Sequence, residues 1–91
     1  MCSFKDLKFI RNSYQEVINI CKCKITTRDL ILTAIELFNK AKELELKLID
    51  DLLNSTLDIN EFNLYYNNFR VLKLHSDKAS NILNYCRYMT I

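Results

Sequence analysis

The sequence predicts an all-α fold, an antiparallel bundle of three helices. Three observations carry that expectation. The 91 residues include no Gly and no Pro, so tight hairpin turns of the Asn-Gly kind, which need positive φ, cannot be built in the usual way. Apolar residues recur at three- and four-residue spacing through most of the chain, the period of a helix with a buried face. Three capping signatures, Ser3-x-x-Asp6, Thr26-x-x-Asp29 and Asp58-x-x-Glu61, divide the chain into helix-sized pieces. In each, a short polar side chain can accept a bond from a free helical N–H, and an acid in the first turn meets the positive end of the helix dipole.

The first helix is expected over residues 4–23, with Leu7, Ile10, Tyr14, Val17 and Cys21 facing inward and Phe4 and Ile18 beside them. The second, over 27–54, carries two apolar stripes. One is Leu30, Ala34, Leu37, Ala41, Leu44 and Leu48; the other is Ile31, Ile35, Phe38, Leu46, Ile49 and Leu53. Two stripes imply neighbours on two sides, which makes this the central helix. Within it, residues 44–48 alternate Leu-Glu-Leu-Lys-Leu as a strand would, but the flanks are helical on both sides. The third helix, over 59–89, shows Phe62, Tyr66, Phe69, Leu72, Ala79, Leu83 and Cys86. Its polar triplet His75-Ser76-Asp77 offers good N-cap residues, so the alternative is four helices with a break near residues 75–77. With Gly missing, Asn is expected to supply left-handed helix ends.

Bulk composition bounds the class. A 49% hydrophobic fraction suits one domain over residues 1–91, near the lower size limit for a self-sufficient core, and is too apolar for disorder. No apolar run approaches the roughly 20 residues a bilayer requires. Lys5, Asp6 and Lys8 interrupt the place where a signal peptide would need an unbroken apolar segment. A soluble intracellular protein, cytoplasmic or nuclear, is the expectation. The scarce residues are those with G/C-rich codons, which points to an A/T-rich genome such as that of a large DNA virus or a parasite. Residues 1–28 carry six basic and two acidic side chains, residues 29–61 three and eight, and residues 62–91 four and one. An acidic second helix between two basic ones favours antiparallel neighbours.

No constellation of catalytic type emerges. His75 is the one histidine, and Ser76 and Asp77 beside it in sequence point to other sides of a helix, so the nucleophile, base and orienting acid of a triad are not assembled. Glu43, Glu45, Asp50 and Asp51 read as a solvated acidic face rather than an acid–base pair, because nothing in the pattern suggests the desolvation such chemistry needs. A phosphate loop is excluded by the absence of Gly. Of Cys2, Cys21, Cys23 and Cys86, the closely spaced pair Cys21 and Cys23 points in opposite directions on a helix and cannot clamp one ion. The bundle topology does bring Cys21 or Cys23 near Cys86, where a disulfide fits; under reducing conditions they remain thiols. No metal and no cofactor is expected.

Two binding readings remain. The first helix is shorter than the other two, which leaves the far end of the second-to-third hairpin uncovered by about 12 Å. Ile49, Leu52, Leu53, Phe62, Tyr65 and Tyr66 project there, and apolar and aromatic side chains gathered on one surface mark an interaction site. The expectation is a non-enzymatic adaptor or subunit that buries this end against another protein or a second copy of itself. The alternative is a nucleic-acid-associated factor. Lys5, Lys8 and Arg11 lie one turn apart near the start of the first helix and supply the clustered positive charge that phosphates require. A net charge of +2 is mild for that role.

Overall fold

The computed structural model describes residues 4–22 and 27–90. They form three helices, α1 (Phe4–Lys22), α2 (Arg28–Leu53) and α3 (Ile59–Thr90), and each helix packs against the other two. The result is the expected antiparallel three-helix bundle. Its long axis of 48 Å matches the length of α3, whose 32 residues at about 1.5 Å each span that distance.

The helix starts are built by short polar side chains. At α2 the cap is Thr27, one residue later than the Thr26 signature: its Oγ1 accepts from the Leu30 N–H at 3.2 Å. At α3, Asp58 Oδ1 accepts from the Glu61 N–H at 2.9 Å, as its signature predicts. Ser3, Thr26 and the side chain of Phe4 lie outside the described residues. At the end of α2 the expected left-handed Asn is not used. Asn54 closes the helix at φ −96° and ψ 4°, and no described residue has positive φ. The Ser55 hydroxyl, bonded to the Leu52 carbonyl at 2.7 Å, satisfies one of the carbonyls left open instead.

The core is a set of seven-residue repeats. Leu7, Ile10, Tyr14 and Val17 of α1, Ala34, Ala41, Leu48 and Leu52 of α2, and Phe69, Leu72, Ala79 and Leu83 of α3 are buried in one cluster. Expectation fails at three places, each for a reason in the packing. The second stripe of α2 is only partly a buried face: Ile31 is buried and Ile35, Phe38 and Ile49 pack against the core, while Leu46 and Leu53 are exposed. Consequently α2 is not the central helix: α1 meets α2 and α3 equally, and the contact between α2 and α3 is the smallest of the three. Lastly, α3 runs unbroken through His75-Ser76-Asp77, so there is no fourth helix. Ser76 points into the core, where it has a partner.

Candidate functional site

Glu45 was expected on a solvated acidic face but is 2% exposed, between an exposed Leu46 and a half-buried Leu44. It occupies the repeat position that links Ala41 and Leu48, so the geometry of the helix sends it inward. There it accepts the Tyr14 hydroxyl at 3.0 Å and the Lys42 ammonium at 3.4 Å. The same ammonium donates to Ser76 Oγ at 3.1 Å. Two charged and two neutral polar groups from all three helices are thus joined at mid-bundle, and the Lys42 stem carries its charge toward solvent. The Tyr14 ring also packs against Phe38 with centroids 5.5 Å apart. Burial is the main reason the Tyr14 hydroxyl titrates well above its ordinary range, and the Glu45 carboxylate adds to the rise while Ser76 opposes it. No buried polar side-chain atom among the described residues lacks a partner. A fully partnered buried network holds register between helices.

At the α2–α3 end the six residues expected to meet a partner separate into two sets. Leu52 is 4% exposed and belongs to the core, so it drops out of any binding surface. Ile49, Phe62 and Tyr65 are half-buried against the same cluster, together with Leu57. Leu53 and Tyr66 are 67% and 50% exposed, and Ile59 beside them is 69% exposed. Tyr66 stacks on Phe62 with centroids 6.1 Å apart and planes 12° from parallel. Part of the expected patch is therefore packed within the hairpin, and part lies open. The opening has a structural cause. Lys8 and Arg11 of α1 face Asn68 and His75 of α3 across a common groove, which leaves the first two turns of α3, about 12 Å, beyond the Phe4 start of α1.

That groove holds two of the three expected nucleic-acid residues. Lys8 and Arg11 line it with Asn12, Gln15, Asn68 and His75, over a volume of about 680 Å³. Lys5 is exposed but is not part of the lining. No disulfide joins Cys21 and Cys86, which are neighbours near the C-terminal ends of α1 and α3. Burial first, then the neighbouring Cys86, pushes the Cys21 thiol up to about 11. Cys2 and Cys23 lie outside the described residues. Among the described residues no cluster of three or more His, Cys, Asp or Glu is placed to hold a metal, and no helix is long and apolar enough to cross a membrane.

No family model matches the chain, and neither a curated protein nor a solved structure is significantly similar to it. Function must be argued from these residues alone.

Sequence reasoning missed two features. The Glu45 network was hidden because a Glu among surface acids looks solvated until its repeat position is counted. The other is a second apolar line on α3, Leu64, Val71, Leu74, Tyr85 and Tyr88, all exposed. Its signal was present as a second seven-residue spacing, two residues after the first.

Proposed function

We propose that this chain is a non-enzymatic interaction module, a small adaptor or subunit of a larger assembly, that binds another protein through the α2–α3 end. The observation that carries the reading is the exposure of Leu53, Ile59 and Tyr66 on the part of the hairpin that α1 does not reach. These side chains would lose water on association, and Asp50, Asp51, Asn60 and Glu61, near them in sequence, are exposed as well, a mixture of apolar and polar groups that suits an interface. The three acids suit a partner with basic residues around an apolar groove. Leu53→Asp and Tyr66→Lys are the test. Both sites are exposed, so helicity by circular dichroism should be unchanged while co-purification of a partner from the native source is lost. Retained capture by both variants would sink the end as the binding site.

A second reading follows from the α1–α3 groove. Lys8 and Arg11 on one wall, with three amides and His75 around them, suit a phosphate backbone better than scattered surface charge does. Under it, Lys5→Glu, Lys8→Glu and Arg11→Glu together remove nucleic-acid binding, and added salt weakens binding of the parent steeply. Binding by the triple variant equal to that of the parent rejects this reading.

A further inference from the structure

On the seven-residue frame shared by the core, α2 and α3 present very different outer faces. The positions of α2 opposite its core are Thr33, Glu36, Lys40, Glu43, Lys47 and Asp50, every one polar and exposed. The equivalent positions of α3 hold Leu64, Val71, Leu74, Tyr85 and Tyr88, all exposed, with Asn67, Lys78 and Asn81 between them. They run along four repeats of a 32-residue helix and face away from both α1 and α2. An apolar line at a/d spacing, broken by Asn and Lys that fix register, is the pattern of a coiled-coil seam. At its middle, Val71 and Leu74 floor a shallow depression of about 450 Å³ rimmed by Asn67, Arg70, Lys73 and Asp77.

We infer that this face pairs with the same face of a second copy of the chain, with the two α3 helices antiparallel. The charges beside the seam select both the occupant and the direction. One flank of the line reads Asn63, Arg70, Asp77 and Asn84, and among the described residues neither Arg70 nor Asp77 forms an ion pair within the chain. In an antiparallel seam that flank meets its own copy. A two-fold axis between Lys73 and Leu74 then sets Arg70 against the partner's Asp77, and Asp77 against the partner's Arg70. The same operation pairs Asn63 with the partner's Asn84, and it leaves the partner's Leu74 one residue from the level of Leu74 and two from that of Val71. Parallel pairing would instead set Arg70 against His75 and Asp77 against Ile82, with no charge match. A self-complementary flank is what an isologous dimer requires. This pairing goes beyond the proposed end-on binding and uses different residues, so either can fail alone.

Sedimentation equilibrium of the full chain tests it. The mass should rise with concentration from 10.8 kDa toward twice that value. Arg70→Asp and Asp77→Arg should each weaken the dimer on the order of tenfold, because both symmetric pairs become repulsive. An equimolar mixture of the two variants should recover dimerisation, since every flank pair is then opposite in sign, and the double swap should recover it alone. Leu74→Lys should leave a monomer of normal helicity. A parent chain still monomeric at about 1 mM overturns the inference, as does a mixture no tighter than the single variants. A dimer indifferent to Leu74 but lost in Leu53→Asp would overturn it too, and would move self-association to the α2–α3 end.

Discussion

Glu45 shows how one side chain can fix the alignment of three helices. A carboxylate buried to this extent persists when its oxygens are hydrogen-bonded and a counter-charge is near, and here Tyr14 and Lys42 meet both conditions. Truncating one partner leaves the rest stranded, which costs more than the interaction itself contributes. Glu45→Ala should therefore lower stability by about 3 kcal/mol, read as a lower urea midpoint at unchanged slope. Glu45→Gln keeps an acceptor for the Tyr14 hydroxyl and should cost less. The alkaline side offers an independent check. The unfolded chain loses the Cys21 proton near 9.0 and the Tyr14 proton near 10.0, whereas the folded chain holds both to higher pH. Above these values the unfolded state binds fewer protons, so stability falls as pH rises. The urea midpoint should decline from about pH 9 upward, and Tyr14→Phe should flatten the decline above pH 10. An equally steep decline in that variant would show that Tyr14 is not its source.

At the scale of the element, α3 decides most. It is the longest helix, it continues through a triplet that could start a new helix, and it is apolar on two opposite faces. Continuity follows from Ser76, whose hydroxyl accepts from Lys42 instead of turning back to cap the following N–H groups, the competing use of such residues. Its start depends on Asp58. Asp58→Ala removes the acceptor for the Glu61 N–H and should cost about 1 kcal/mol, seen as a lower melting temperature. The acid also lies at the positive end of the helix dipole, which adds to the cost of removing it. Much of this level was legible in the residues. Asp58-x-x-Glu61 was read correctly, and Thr27 was missed by one position because two adjacent threonines offer the same chemistry. The stripes of α2 were read in part: Leu30, Leu46 and Leu53 are exposed, whereas Glu45 and Leu52, which neither stripe included, belong to the buried set with Ile31, Ala34, Ala41 and Leu48.

For the whole molecule, the offset between α1 and the longer hairpin governs what is left to bind. Where α1 runs, it covers the facing sides of α2 and α3; at the α2–α3 end Leu53, Ile59 and Tyr66 remain exposed. Leu53→Asp and Tyr66→Lys should change folding stability by less than about 0.5 kcal/mol, as expected for exposed sites, while abolishing capture of a partner. A large loss of stability in either would show that these side chains belong to the fold. Of the six residues expected on the patch, Leu53 and Tyr66 lie open. Which of them do was not legible from helix lengths alone, because whether Leu52 or Leu53 faces the core depends on the rotation of α2 about its axis, which neighbours set.

The sequence by itself determined the helical class and the order of the elements, because periodicity, capping chemistry and the absence of Gly and Pro act locally; whether α3 broke at His75-Ser76-Asp77 was left to the packing. Only the tertiary structure decided that Glu45 and Ser76 are interior, that α1 rather than α2 has the most buried surroundings, and which residues at the α2–α3 end remain open. Those outcomes depend on contacts between residues about 30 or more apart, where burial of a polar group is permitted only once its partner has arrived.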